Sequence, residues 1–207
     1  MNRWLGTVLL MLLSMQFMGC SATLNVRPTL PPSSIASTSP TRIGVYVTHG
    51  PASELEPGSG IWPGTTYHFS AEQTVQEGLV DLTKRHFKNA GVAENSGDKR
   101  WDYVLEYNCE KPYVAADDLR SQAPLKFTLR NPQTGREVQS LTLTGEGSPQ
   151  GKRFLRGIFG RLVEKKALEN SLSEAYSNLF VSVDSNLART GAVQSRGGPS
   201  KPYRRRE

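Results

Sequence analysis

Three histidines, two cysteines and a handful of loop carboxylates are the side chains here with the chemistry for catalysis or metal binding. His49, His68 and His86 lie far apart, with no His-x-x-x-His and no Cys-x-x-Cys pair, so the short spacings that set two ligands on one metal are missing. Gly58-Ser59-Gly60 and Gly64 are interrupted by Ile61-Trp62-Pro63, and no Gly-Lys-Ser/Thr follows, which argues against a phosphate-cradling loop. A Gly-x-Ser-x-Gly nucleophile elbow is likewise missing. Glu54, Glu56, Asp117 and Asp118 come nearest to paired carboxylates, but acids so close in loop sequence are ordinarily solvated rather than set apart as acid and base. The chain is therefore read as non-enzymatic, with no metal and no cofactor.

Cys20 is the residue with a chemistry of its own. It closes Phe17-Met18-Gly19-Cys20, directly after an Arg3-led, uncharged apolar run from Trp4 to Met15. A basic start, a short apolar stretch and a small residue at the cut describe an export signal, too short for an ordinary membrane span. These residues resemble the precursor of a signal peptidase II type bacterial lipoprotein. The resemblance implies cleavage after Gly19 and a lipid-modified Cys20, palmitate included, as the first mature residue; an ordinary secretory signal and an uncleaved anchor are the alternatives. Ser21, where Asp would favour inner-membrane retention, implies the outer membrane, with the protein on its periplasmic face. At ~0.8 kcal/mol per buried methylene, two or three acyl chains hold a protein there essentially permanently.

The rest of the chain divides by composition. Residues 1–19 are the signal, and residues 20–41, with Pro28, Pro31, Pro32 and Pro40 among Ser and Thr, read as the lipidated Cys and a flexible tether. Residues 42–188 are long enough for one globular domain, and 189–207 form a Gly/Pro-containing basic tail expected to be disordered. The formal charge of +6 is not spread evenly. Setting aside Arg3, the six tail cations (Arg189, Arg196, Lys201, Arg204, Arg205 and Arg206) and Glu207 leaves 18 Lys and Arg against 18 Asp and Glu. The body is thus neutral, and the excess sits around Arg204, Arg205 and Arg206. For an exported chain this points to an anionic lipid, glycan or protein surface rather than nucleic acid, with a merely solvated terminus as the alternative. Acylation of Cys20 would leave Cys109 as the one free thiol, on the inward parity of a strand, as a small buried hydrophobe.

Hydrophobic periodicity supplies the elements. Ile43, Val45 and Val47 alternate as a first strand. Ser70-Ala71-Glu72-Gln73 has the form of a capping box; Val75, Leu79, Leu82, His86 or Phe87, and Ala90 then recur at three and four up to Gly91, which predicts a helix over 71–90. Tyr103, Leu105, Tyr107 and Cys109 make a second strand, and Leu125, Phe127 and Leu129 a third. Asn131-Pro132-Gln133-Thr134-Gly135 is a turn into a fourth over 138–144, where a slip of parity between Val138 and Leu141 calls for a bulge. Leu168, Leu172, Ala175, Leu179, Val183 and Leu187 predict a long helix over 161–188. The expectation is a single α+β domain in the order β-α-β-β-β-α, a four-stranded mixed sheet with both helices on one face.

Two segments suit binding. The long loop from His49 to Phe69 carries Trp62, Tyr67 and Phe69, aromatics that can stack on a sugar, anchor a partner or simply pin the loop to its own domain. Lys152 to Val163 mixes cations with Phe154, Leu155, Ile158, Phe159 and Leu162, a composition that suits an anionic membrane, a partner groove or the entry to the last helix. With Cys20, the tether and the element order over 42–188, the chain resembles accessory envelope lipoproteins of TolB amino-terminal-like α/β fold. Among these are the Pel exopolysaccharide-export, lipopolysaccharide-assembly and penicillin-binding-protein-activating lipoproteins. The resemblance implies a non-enzymatic factor in envelope assembly, export or cell-wall regulation that docks to a protein complex, often as a homo-oligomer. A glycan-binding or glycan-cleaving lipoprotein using the Trp62 loop is the alternative.

Overall fold

The computed structural model describes residues 20–32, 39–49, 54–55, 65–69, 72–115, 118–149 and 158–196. Along them run β1 (Cys20–Leu24), β2 (Ser39–His49), β3 (Glu54–Leu55), β4 (Thr65–Phe69), α1 (Glu72–His86), β5 (Phe87–Val92), β6 (Tyr103–Cys109), β7 (Tyr113–Val114), β8 (Ser121–Arg130), β9 (Glu137–Gly147) and α2 (Ile158–Arg196). The main sheet has the order β5-β2-β6-β8-β9, and β7 takes up the edge of β8 where β6 leaves it. β2 is parallel to β5 and β6, while β6, β8 and β9 pair antiparallel. A second, smaller sheet has the order β1-β4-β3.

The expected α+β class with a mixed sheet holds, but the main sheet has six strands rather than four. The main departure lies in the first helix. α1 stops at His86, and Phe87 starts a strand whose Ala90, Gly91 and Val92 pair with Ile43, Gly44 and Val45. The β-α-β crossover from β2 therefore closes on β5, not on β6. Gly91 is no left-handed helix stop; a Cβ there would lie 2.7 Å from Trp101 Cη2, and one on Gly44 would lie 2.6 Å from Trp101 Cδ1. The indole thus lies against two adjacent strands at the glycines that make room for it, and its Nε1 donates to Asp98 Oδ2 at 3.2 Å. Nor does Gln73 close a capping box: its side chain donates forward to Glu77 Oε1 at 2.7 Å, and Ser70 lies outside the described residues. The two-residue β7 is too short to leave an alternating signature in sequence.

Alternation elsewhere dictates the packing as expected. Leu125, Phe127 and Leu129 stand opposite Cys109, Tyr107 and Leu105, all buried, and the Tyr107 and Phe127 rings meet edge to face at 5.7 Å. Cys109 is buried and forms no disulfide. The register slips between Leu129–Gln139 and Arg130–Glu137, leaving Val138 as the extra residue of the anticipated bulge. Gly135, at φ 70°, supplies the left-handed position of the preceding turn, which Asn131 Oδ1 ties to the amides of Gln133 and Thr134.

Both helices cover one face of the main sheet. Thr83 of α1 shares a hydrogen bond with Tyr107 Oη at 3.1 Å, and His86 Nε2 meets Asp184 Oδ1 of α2 at 2.7 Å. Each member of the Leu168–Leu187 stripe is at most 1% exposed. A buried side chain of this kind contributes about 1.5–3 kcal/mol relative to exposure. The tightest contact is between backbones: a Cβ on Gly145 would lie 1.9 Å from Ala175 O, and one on Gly147 would lie 1.9 Å from Ser171 O. Ser171 anchors the same place, its hydroxyl 2.7 Å from Ser121 Oγ, 2.9 Å from Leu119 O and 3.1 Å from Gly147 O. Since an added methyl meets helix backbone rather than a movable side chain, Gly145→Ala should lower the unfolding free energy by about 1–3 kcal/mol or more, read from urea denaturation. An unchanged midpoint would show that the helix can stand away from β9.

Candidate functional site

The segment expected to be a loose tether is, over residues 20–32, part of the fold. β1 begins at Cys20 and runs parallel to β4, Cys20 opposite Thr65 and Leu24 opposite Phe69. The chain then lies along α2 as a strap: Asn25 N donates to Glu169 Oε1 at 2.8 Å, Arg27 N to Ser173 Oγ at 2.9 Å and Thr29 N to Ser177 Oγ at 2.9 Å. Every second strap amide thus finds every fourth helix residue. The repeats match physically, because two residues of extended or polyproline chain advance about 6.2–6.6 Å and four helical residues about 6 Å. Ser173 and Ser177 give their own protons back to the carbonyls of Glu169 and Ser173, at 2.6 and 2.7 Å, which leaves hydroxyl lone pairs to receive the strap.

Proline serves this arrangement. Pro28 falls between the donating residues, where no N–H is used. Pro31 O accepts from Arg85 Nη1 at 2.8 Å, so α1 holds the far end of the strap. Leu24 and Val26 are buried, and Leu30 packs against the same core. Glu169, only 8% exposed, accepts the Asn25 amide while its other oxygen lies 3.7 Å from Lys166 Nζ. Composition conceals all this; the traces left in sequence are the alternation of Leu24 with Val26 and the Ser173, Ser177 pair one turn apart.

The other sequence candidates are dispersed. Tyr67 and Phe69 belong to β4 and are 4% and 3% exposed, with the Phe69 ring 6.4 Å from that of Tyr176 on α2, so these two aromatics pin the segment to its own domain. Trp62 and Arg204, Arg205 and Arg206 lie outside the described residues. His86 sits at the core edge against Asp184, and Asp118 pairs with Arg120. Among the described residues no group of three or more His, Cys, Asp or Glu side chains is arranged to hold a metal, and no helix is long and apolar enough to cross a membrane.

Open depressions among the described residues include the following pair. One, of about 260 Å³, lies where β7 and β9 flank β8 and includes Tyr113, Arg120, Gln122, Glu146 and Ser148. The other, of about 420 Å³, adjoins the β8–β9 turn and includes Tyr103, Asn131, Arg136 and Glu137. Neither is lined by His or Cys. A group of ion pairs lies between β5 and β6, where Arg100 meets Glu94 and Asp98 and Arg42 meets Asp102. There the Arg100 guanidinium holds the Asp98 carboxyl well below the usual carboxylate range, and a hydrogen bond from Arg42 lowers Asp102.

No protein-family model matches the chain, and no curated protein matches it. Among solved structures it is similar to protein XCC0632 from Xanthomonas campestris, of family DUF330, at 16% identity and TM-score 0.50, covering 85% of this chain and 98% of that one. It is also similar to PelC from Paraburkholderia phytofirmans, solved as a dodecamer, at 15% identity and TM-score 0.40 over 72% and 92% of the two chains. A minor lipoprotein from Acinetobacter baumannii aligns at 9% identity and TM-score 0.34, over 75% and 95%. Of these three, the first bears on the fold, which it shares.

Two outcomes follow from this geometry. Removing both strap acceptors with Ser173→Ala and Ser177→Ala should cost about 1–3 kcal/mol in all and speed amide exchange selectively at Arg27 and Thr29; unchanged exchange there would mean the strap is held by Leu24 and Val26 alone. Tyr176 Oη is buried with no hydrogen-bond partner among the described residues, and burial, with Cys109 nearby, pushes its phenol above the ordinary value. Tyr176→Phe should therefore be neutral or stabilising in thermal unfolding, whereas a clear loss of stability would reveal a partner for the hydroxyl.

Proposed function

We propose that the protein is a bacterial envelope lipoprotein, held through an acylated Cys20 on the periplasmic face of the outer membrane, where it acts as a non-enzymatic accessory factor through protein contacts. The observation that carries this reading is the Arg3-led apolar run closed by Gly19-Cys20, with β1 (Cys20–Leu24) lying wholly in the chain that cleavage before Cys20 would leave. Removal of the signal would leave that strand intact. The acyl chains would supply the membrane attachment, in keeping with the lack of a spanning helix among the described residues.

Contact with an envelope complex, or with further copies of the chain, would use surface the domain leaves open. The sheet ends on β5 and β9, where Val92 is 65% and Val138 54% exposed. Such edges carry backbone donors and acceptors to which another strand can add. The basic tail with Arg204, Arg205 and Arg206 would add attraction to an anionic glycan, lipid or acidic surface. With Tyr67 and Phe69 turned into the core, the glycan alternative is left to Trp62.

Intact-mass analysis of the membrane-extracted protein should show cleavage before Cys20 and the added mass of a diacylglyceryl group and an amide-linked acyl chain. Cys20→Ala should remove the protein from the membrane fraction. An unmodified Cys20 in protein that still fractionates with membranes would overturn the reading.

A further inference from the structure

We propose that the depression where β7 and β9 flank β8 is a subsite for one neutral pyranose ring of a glycan chain. It lies apart from the 49–69 connection that holds Trp62, and neither the site nor its test depends on a lipid at Cys20.

Two neighbouring rows of the sheet build it. Val114, Ser121 and Gly147 stand opposite one another across β7, β8 and β9, and all three are buried. Side chains alternate along a strand, so the next row, Tyr113, Gln122 and Glu146, turns to the opposite face. There Tyr113 is 63% exposed, and the Gln122 amide donates to Glu146 Oε1 at 3.3 Å. Arg120 and Ser148, each a two-residue step from that row, complete the lining on the same side.

The buried row stiffens the floor. The Ser171 hydroxyl of α2 meets Ser121 Oγ, Leu119 O and Gly147 O, so a single side chain ties together β8, β9 and the turn before β8. The helix fixes the rim as well: Asn178 Nδ2 donates to Glu146 O at 2.7 Å, and Ser148 N donates to Glu174 Oε2 at 2.9 Å. Groups carried on braced strands hold their geometry before a ligand arrives, which lowers the cost of binding.

The chemistry of the exposed row fits a sugar. A pyranose has a C–H face that can rest on an aromatic ring, and a rim of hydroxyls that each donate and accept. Tyr113 offers the ring, the Gln122 amide both donates and accepts, Glu146 accepts, and the Ser148 hydroxyl does both. The charges do not select an anion, because Arg120, the one cation among the described lining residues, bonds Asp118 through Nε, and Glu146 brings a negative charge. At about 260 Å³ the depression falls below the ~300–1,000 Å³ of sites for drug-sized ligands, which leaves room for about one ring. The same face continues along β9 at two-residue steps through Thr144, Thr142 and Ser140, all exposed, so flanking units of a chain meet further hydroxyls.

Saturation-transfer NMR on the purified full chain, in a sugar-free zwitterionic detergent, tests this with cellotetraose and N-acetylated chitotetraose as probes. At least one tetrasaccharide should receive saturation, with a Kd of about 1 mM or tighter. Tyr113→Ala and Gln122→Ala should each weaken binding about fivefold or more and Tyr113→Phe less than about twofold, all with the thermal unfolding of the parent chain. The matching methyl glycoside should bind about fivefold or more weakly than the tetrasaccharide. No transfer to either tetrasaccharide at about 10 mM would overturn the proposal, as would binding that survives Tyr113→Ala but is lost in Trp62→Ala. Equal affinity for tetrasaccharide and methyl glycoside would replace the chain subsite with a free-sugar site and overturn it too.

Discussion

Everything in this domain is arranged around how closely α2 can lie on β9. A helix normally stands off a sheet by the bulk of two layers of side chains, yet here the strand offers Gly145 and Gly147 and the helix offers Ala175 and the carbonyls of Ser171 and Ala175. The sheet and helix backbones come within contact, and the Ser171 hydroxyl binds the β9 carbonyl of Gly147 and, through Leu119, the turn into β8. Leu119 is itself at φ 56°, a left-handed conformation that costs a non-glycine residue about 1–2 kcal/mol, offset here by burial of its side chain and a bonded carbonyl. With that line of contact fixed, the rest of α2 is aimed: Phe180 against Gly78 of α1, Asp184 against His86, and Tyr176 toward the second sheet.

What sequence made legible follows from the distance over which each signal acts. The alternation of Leu125, Phe127 and Leu129 and the stripe from Leu168 to Leu187 are local patterns read out by one large buried surface, and both survive into the structure. The bulge at Val138 was visible for the same reason, since a slip of parity has one cheap structural answer. The boundary at Phe87 was not. His86 and Phe87 satisfy a helical repeat as well as a strand start, and the choice is made by partners remote in sequence: Ser39 to Val45 beside β5, and Trp101 over Gly91. The remaining glycines carry the same lesson, since closeness to Ala175 or Trp101 leaves no periodic mark.

The candidate site was legible as a position and not as a structure. Cys20 stands out by type and context, but the Pro, Ser and Thr after it share their composition with true linkers. What distinguishes this stretch is commensurability with a helix more than a hundred residues away, donor by donor, at Glu169, Ser173 and Ser177. No local rule carries that information. The aromatics at Tyr67 and Phe69 misled in the opposite sense, since their place in a long Gly- and Pro-rich connection suggested a surface although the small sheet turns them inward. Proline in the strap is compatible with order because the hydrogen bonds fall on the residues around it.

The length of α2 has a mechanical consequence. At 39 residues it spans about 58 Å, running past the expected end at 188 through Arg189 to Arg196, where the start of a disordered tail was expected, with the sheet bracing the shaft. A shaft of that length is a lever. With its opening end as the pivot, a change in tilt of about 10° sweeps the far end through about 10 Å, roughly the spacing of two packed helices.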